Sequence, residues 1–271
     1  MTKRREIKAQ LSLYDDLSGI IGAMRSFALV ELRRVAQREA AQHQAMQAMK
    51  ATLHDMAPAL PPAPKTKDDI WLLFGSVRGF CGSFNEDVHS AWQTHGAIMP
   101  VIAVGEKLAA LLPEEATVTT VPGAIGALDA AVTIEKILSS IAPLRAKENW
   151  GIMAVSRDEN GVSVQRLLPL PAASDKASHP LPLTNEAAID VARGVAEHYL
   201  FHSLSALLLR SISIENHMRL MQMENALSHL ARETDELSRH SNRLRQEEII
   251  EEIELIAGGK NAAATLVDDV F

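Results

Sequence analysis

The side chains that could do chemistry include those of a glycine-rich loop after an apolar run. The loop reads Gly75-Ser-Val-Arg-Gly-Phe-Cys-Gly82-Ser. Closely spaced glycines let backbone N–H groups approach a phosphate at the start of a helix, so this loop has the look of a phosphate cradle. Its spacing matches neither G-x-G-x-x-G nor G-x-x-x-x-G-K-[ST], and no lysine follows its last glycine. A structural turn is therefore the favoured interpretation, with Arg78 as the only cation of any nucleotide site there.

Three other groups could support catalysis or metal binding. Cys81 could be a nucleophile, but without a recognisable His partner we expect a small buried side chain. His198 and His202 share a helical face, yet no third zinc ligand is evident. Five glutamates between positions 247 and 254 are typical of a solvated helical face, because catalytic carboxylates need a cleft. We therefore predict no catalytic residues, no cofactor and no metal.

Composition restricts the function classes further. The chain has 271 residues, a net charge of -7 and 47% apolar residues. An acidic balance argues against nucleic-acid binding, which needs a basic face. The single cysteine excludes an internal disulfide and fits a reducing compartment. With no apolar run near ~18 residues and no apolar signal segment after Met1, we expect membrane contact only through partners.

Proline placement divides the chain into three parts. All twelve prolines lie between Pro58 and Pro182. Since an interior proline costs a helix ~3 kcal/mol, the proline-free flanks can form long helices. We predict an N-terminal coiled-coil helix over 1–57, a central α/β domain over 58–182 and a C-terminal coiled-coil helix over 183–271.

Both flanks carry apolar seams at heptad spacing. The first seam, in which ten of fourteen positions are apolar, comprises Ile7, Leu11, Tyr14, Ser18, Ile21, Arg25, Ala28, Leu32, Val35, Glu39, Gln42, Met46, Met49 and Leu53. The second comprises Leu220, Met223, Leu227, Leu230, Thr234, Leu237, Ser241 and Leu244. Because the chain must return past the central domain, the two helices are expected to pair antiparallel. Beyond Leu244 the phase slips, which predicts a projecting or outward-facing segment, and Gly258-Gly259 predicts the helix end.

The central part alternates strand and helix patterns after a proline-rich linker, Pro58–Pro64. The predicted strands are Ile70–Phe74, Val101–Val104, Thr117–Val121, Gly151–Val155 and Val162–Leu168. The predicted helices lie near Asn85–Thr94, Glu106–Leu112 and Ala124–Ile141. This alternation predicts a mostly parallel, Rossmann-like sheet with helices on its faces.

Four blocks of residues follow one family pattern along essentially the whole chain. Ile7 and Ala23-Met24 match its N-terminal block, and Ser76-Val-Arg-Gly-Phe-Cys-Gly-Ser-Phe-Asn85 matches its Ser-Asp-Arg-Gly-Leu-Cys-Gly-Gly-Leu-Asn. The C-terminal blocks are matched by Glu215, Arg219, Met223, Asn225 and Ala226, and then by Asn242, Arg245, Gln246, Ile249, Glu252, Ile253, Ile256 and Gly258. In these blocks the chain resembles the gamma subunit of the rotary F-type ATP synthase.

The resemblance implies a rotor shaft. It implies that the helix pair lies along the axis of a ring of alternating alpha and beta subunits, while the α/β domain lies on the membrane c-ring beside the epsilon subunit. Catalytic sites would lie on the beta subunits, and ion flow would be coupled to ATP synthesis or hydrolysis there. Arg245 and Gln246, with Met24, are the partner-binding residues that it implies. The expected location is the cytoplasmic side of a bacterial membrane, as a peripheral complex.

Three positions of the chain depart from the family pattern. Gly22, Glu31 and Ile250 stand where the family has lysine, a basic residue and threonine, which indicates a divergent subfamily such as an alternative bacterial rotary ATPase, with proton or sodium as the coupling ion. One alternative is a nucleotide-binding regulatory α/β domain with a coiled-coil appendage, which requires phosphate binding at Gly75–Gly82. The other is a dimeric coiled-coil scaffold.

Overall fold

The computed structural model describes residues 2–61, 65–96, 100–114, 117–147, 149–170 and 181–268, with backbone alone for 2, 147 and 257–268. Its helices are α1 (Thr2–Met56), α2 (Phe84–Thr94), α3 (Glu106–Ala109), α4 (Ala130–Lys147) and α5 (Ala188–Asp268), with a 3-10 turn at Ala57–Ala59. Its strands are β1 (Asp69–Phe74), β2 (Val101–Val104), β3 (Val118–Val121), β4 (Gly151–Asp158) and β5 (Gly161–Leu168). Two compact units divide the chain: Met1–Arg25 with Met223–Phe271, and Ser26–Gln222.

The first unit is an antiparallel pair formed by parts of α1 and α5. Arg4 Nη1 donates to Glu248 Oε2 at 2.7 Å, and Arg25 Nη2 donates to Glu224 Oε1 at 3.1 Å. Position numbers rise along α1 as they fall along α5, so the helices run in opposite directions. Ile7 of the first predicted seam and Met223 of the second are buried in this unit. The antiparallel pairing predicted from the two seams is confirmed.

The second unit is built on a five-stranded sheet with the order β3-β2-β1-β4-β5. β1 pairs in parallel with both β2 and β4, β2 pairs in parallel with β3, and β5 is antiparallel to β4. The strands therefore form the mostly parallel, Rossmann-like sheet that the alternating pattern predicts.

Helices cover both faces of this sheet because β1 is apolar on both sides. Ile70, Leu72 and Phe74 belong to a buried cluster that also contains side chains of α1, α4 and α5. Trp71 and Leu73 point to the opposite face, where their cluster includes side chains of α2 and α3. Side chains alternate along a strand, so five consecutive buried residues in β1 indicate a strand enclosed from both faces.

Several predicted boundaries shift. The α-helix over 106–112 ends at Ala109, where Leu111 N–H bonds Leu108 O and tightens the chain into a turn. The helix predicted from Ala124 begins at Ala130, after turns at 125–129. The prediction that α5 stops at Gly258-Gly259 is wrong, since the helix continues to Asp268. A glycine inside a helix costs about 1 kcal/mol and does not forbid it.

The proline-rich linker is described only in part. Pro58 lies in the 3-10 turn, while Pro62 and Pro64 of the predicted linker lie outside the described residues. Among the helices of the described part of the chain, none is both long enough and apolar enough to cross a membrane.

Candidate functional site

The glycine loop lies at the carboxyl edge of the sheet, directly after β1. Gly75 N–H donates to Val104 O at 2.8 Å, which keeps the start of the loop beside the end of β2. The strand order runs from β1 toward β3 on one side and continues with β4 on the other. In open α/β sheets, ligands bind at the carboxyl ends of the strands where the order reverses in this way.

The loop is closed by a buried polar network that joins Ser76 and Cys81 to Asn85 of α2. Asn85 Oδ1 accepts from Ser76 N–H at 2.9 Å, and Asn85 Nδ2 donates to Ser76 Oγ at 2.8 Å. Cys81 Sγ donates to the same hydroxyl at 3.4 Å. These bonds link the beginning of the loop to the first turn of α2. Three residues of the mid-chain signature therefore act together to set the loop conformation.

Arg219 of α5 is buried against this loop. Its Nε donates to Gly79 O at 3.1 Å and its Nη1 donates to Asn216 Oδ1 at 2.8 Å. Its Nη2 donates to Glu215 Oε1, so the two charged side chains pair one helical turn apart. Both residues are only 5% exposed. A guanidinium keeps its proton in proteins, so this buried cation requires a negative neighbour.

The Glu215 carboxylate bonds the backbone of the loop as well as Arg219. Its Oε1 accepts from Arg78 N–H at 3.4 Å. Burial raises the pKa of the Glu215 carboxyl, and Arg219 and the backbone N–H groups of Arg78 and Val77 oppose that rise. We call this set the loop clamp: Glu215 and Arg219 of α5 with the backbone of Val77, Arg78 and Gly79.

Cys81 and Phe80 are neighbours in the loop with opposite exposure: the first is buried and the second is exposed. Cys81 is buried, as predicted, and packs with Phe84 and Ile214. Burial raises the pKa of its thiol, so the nucleophilic thiolate is disfavoured. Phe80 has a φ of 61° and is 68% exposed. An aromatic residue in the left-handed region is rare and is held there by its surroundings.

The partner-binding residues implied by the resemblance lie in the first unit. Arg245 and Gln246 are exposed on α5, and Met24 is half-buried on α1. Glu248, one of the intrahelical partners open to Arg245, bonds Arg4 instead. From Ile249 to Ile256 every side chain is exposed, which confirms the outward-facing segment predicted beyond Leu244.

His198 and His202, which share a helical face as predicted, lie close together. The rings of His198 and His202 are 6.5 Å apart between centroids, and Gln42 Nε2 lies 2.6 Å from His202 Nδ1. Within the ranges that the structure describes, no group of three or more possible metal ligands occurs.

Glu31, one of the departures from the family pattern, lines a cleft in the second unit. It bonds Arg34 at 2.9 Å and packs against Gly126, where a Cβ atom would meet its carboxylate. Arg38 donates to Ala127 O, and both residues line the cleft, whose volume is about 410 Å³. The acidic residue is therefore accommodated by a neighbouring arginine and a glycine.

The loop clamp is not evident from the sequence, although both of its halves belong to blocks that match the family pattern. The glycine loop and Glu215 lie 137 positions apart along the chain, and spacing patterns do not reveal contacts at that separation. A usable signal was present in α5: Glu215 and Arg219 are charged residues four apart in a segment whose Ile212 and Ile214 are buried. Charges are rarely buried unless they are paired.

The fold is similar to chains of solved mitochondrial ATP synthases. A chain of the Euglena gracilis enzyme (rotor, rotational state 1) is 16% identical, with a TM-score of 0.61 over 92% of this chain and 99% of that chain. A chain of its OSCP/F1/c-ring assembly (rotational state 3) is 16% identical, with a TM-score of 0.64 over 96% and 94%. A chain of the Tetrahymena thermophila central stalk/c-ring is 18% identical, with a TM-score of 0.58 over 76% and 99%. The likeness places the chain in the fold class of these ATP synthase chains.

The family assignment follows from the sequence comparison. A family model described as ATP synthase matches residues 3–263. The chain therefore belongs to the ATP synthase family, as a gamma subunit, the central rotor shaft of a membrane-associated F-type complex. No curated protein sequence matches the chain significantly.

Proposed function

We propose that this chain rotates within a ring of alternating alpha and beta subunits and couples ion flow through a membrane c-ring to ATP synthesis or hydrolysis. The observation that carries the proposal is the antiparallel pairing of α1 with α5 inside one chain, marked by Arg4–Glu248 and Arg25–Glu224. Two helices that bury a common seam resist twisting better than a single helix does. A shaft needs this property to transmit torque.

The chain acts on catalysis without performing it. Three chemically identical beta sites can hold different affinities for nucleotide only if an asymmetric element presents a different surface to each. A single-copy pair of unlike helices is asymmetric by construction. The catalytic residues belong to the beta subunits, and the epsilon subunit and c-ring bind the α/β domain. The complex lies on the cytoplasmic side of a bacterial membrane.

Three residues of the helix pair contact the ring. Arg245 and Gln246 are exposed on α5, so the Arg245 guanidinium can offer forked donors to a carboxylate of a beta-subunit loop. Met24 continues an outward stripe of exposed apolar side chains on α1, formed by Leu13, Leu17 and Ile20. Apolar stripes of this kind mark protein–protein contacts. The stripe fits a partner that surrounds the shaft.

Rotation of the chain against the ring tests the proposal. Asn160 lies exposed in the turn between β4 and β5, and Asn160→Cys provides an attachment point for a bead. We expect stepwise rotation in one direction when ATP is added to an immobilised alpha–beta ring containing this chain, and none without ATP. A stationary bead on a ring that hydrolyses ATP at its full rate would contradict the shaft role.

The three-part division at 57/58 and 182/183 is proposed as the functional one: two shaft helices and a docking domain between them. Of the two alternatives, the dimeric scaffold is disfavoured because the seams of the first unit pair within the chain. The nucleotide-binding alternative requires the N–H groups of the glycine loop, one of which, that of Arg78, already donates to Glu215.

A further inference from the structure

The glycine loop has the position and the donors of an anion site. It follows β1 at the carboxyl edge of the sheet, beside the point where the strand order reverses between β1 and β4. Two consecutive backbone N–H groups, those of Val77 and Arg78, lie near one carboxylate, and that of Arg78 donates to it at 3.4 Å. Such converging N–H groups form the concavities that hold phosphate and carboxylate oxygens in other proteins.

The acceptor in this loop is a side chain of the same protein. Glu215 Oε1 receives Arg78 N–H at 3.4 Å and is also bonded by Arg219 Nη2. Arg219, only 5% exposed, fixes the far side of the loop through Gly79 O at 3.1 Å. The arrangement therefore has the three parts of a bound-anion site: converging backbone donors, a buried guanidinium and an anion.

We propose that the glycine loop is an anion cradle that the chain fills permanently with its own Glu215 carboxylate. The ligand class of the cradle is a small carboxylate, and α5 supplies that group covalently. This explains why the loop looks like a phosphate cradle while lacking the phosphate-binding lysine. It also gives the cradle a different use, since occupying it joins the end of β1 to α5. The inference depends only on the second unit and not on the rotor role.

Removing the internal carboxylate should open the cradle to a free one. Glu215→Ala leaves the Arg219 guanidinium and the Arg78 N–H without their acceptor, and it vacates the volume of a CH₂–COO⁻ group, which is large enough for formate. We expect the melting temperature of the full chain to fall by about 6–15 °C, because one partner of a buried ion pair is lost. Sodium formate at tenfold its dissociation constant should restore about 3–6 °C, while sodium chloride of equal ionic strength should not.

Two variants control for shape and charge. Glu215→Gln fills the same space without the charge, so it should be destabilised and insensitive to formate. Asp235→Ala removes an ion pair of the same four-residue spacing on α5, one that is exposed, so it should melt like the parent chain with or without formate. Equal recovery of Glu215→Ala in formate and chloride would overturn the proposal.

A second measurement covers the case in which Glu215→Ala does not fold. The comparison is then between Glu215→Gln and Asp235→Asn, each of which neutralises one acid of an Arg pair on α5. The proposal expects a lower melting temperature for Glu215→Gln alone. A Glu215→Gln chain as stable as the parent would show that the cradle does not require an anion, and the proposal would be abandoned.

Discussion

At the residue scale, Arg245 has the surroundings of a group that binds another subunit. It is exposed, and Glu248 on the next turn is bonded by Arg4. Glu252 lies seven positions further on, about 10 Å along the helix axis, which is outside the three- or four-residue spacing of intrahelical pairs. The resemblance to the gamma family implies a beta-subunit loop as the partner, and the exposure of Arg245 is compatible with that role.

Arg245→Ala should lower ATP turnover of the reconstituted complex by about tenfold to a hundredfold, as expected when a charge-assisted bond of 1.5–3 kcal/mol is lost. The melting temperature of the isolated chain should not change. Arg243→Ala, which alters a neighbouring exposed arginine, serves as the matched control. Unchanged turnover in the Arg245 variant would leave it with no role beyond its own helix.

Arg219 should be among the most sensitive residues of the second unit. Arg219→Ala would leave the Glu215 carboxylate buried without its cation and release Gly79 O. Breaking one side of a buried pair typically costs 3–5 kcal/mol, and we expect about that loss in the free energy of unfolding in urea. Arg239→Ala, which breaks the exposed pair with Asp235, should change it by no more than about 0.5 kcal/mol. Similar losses in both variants would count against the loop clamp.

Cys81 should behave as an inert structural thiol. Burial raises its pKa above the ordinary value of 9.0. A raised folded-state pKa means that the contribution to stability is complete below the unfolded pKa and is lost as the pH rises through the folded one. We expect the chain to lose stability above about pH 9, and Cys81→Ser to remove the part due to this group.

The reactivity of the thiol tests the same conclusion. At neutral pH the folded chain should react with a thiol reagent far more slowly than the chain unfolded in urea, because the thiolate is the reacting species. An Asn160→Cys chain provides an exposed cysteine for comparison. Equal rates for the two cysteines would show that Cys81 is accessible.

At the element scale, the register of α1 against α5 can be tested directly. Arg4 pairs with Glu248, and one heptad inward on each helix the seam residues Leu11 and Ser241 are both half-buried. Cysteines introduced by Leu11→Cys and Ser241→Cys should form a disulfide within one chain. Pairing Leu13→Cys with Ser241→Cys should not, because Leu13 is 54% exposed and lies off the seam. Bridges found only between chains would indicate a dimer.

The apolar seam of α5 loses its cover after Leu244. Ile249, Ile253 and Ile256 are 45%, 60% and 62% exposed. A heptad repeat keeps its apolar stripe on a partner helix only while the phase holds. Arg4, near the first described residue of α1, already pairs with Glu248, so the later part of the stripe lies past the part of α1 that the structure describes. An apolar segment left in this state is suited to contact with another subunit.

At the scale of the whole molecule, the chain should not bind nucleotide by itself. The loop with the right position for phosphate is occupied by Glu215. Calorimetry of the isolated chain with ATP or ADP is expected to detect no site tighter than about millimolar, near 4 kcal/mol of binding free energy. A micromolar site that disappears in Arg78→Ala would instead favour a regulatory nucleotide-binding domain.

Local patterns in the sequence determined the elements of this protein. Prolines confined to the middle of the chain and apolar residues at heptad spacing predicted two long helices, and the strand over Val101–Val104 was predicted at its observed bounds. Such features depend on propensities and on which face of an element is apolar, and both can be read from neighbouring residues. The rotor role was implied separately, by the resemblance of four residue blocks to the gamma family.

Only the tertiary structure decided what each face meets. The strand order β3-β2-β1-β4-β5 and the pairing of Arg4 with Glu248 are choices among partners that one apolar pattern fits equally well. The loop clamp is the strongest case, because Glu215 reaches Arg78 across 137 positions. Spacing shows that a charge lies on a buried stretch of helix. The compensating groups become visible only when the folded chain brings them within hydrogen-bonding distance.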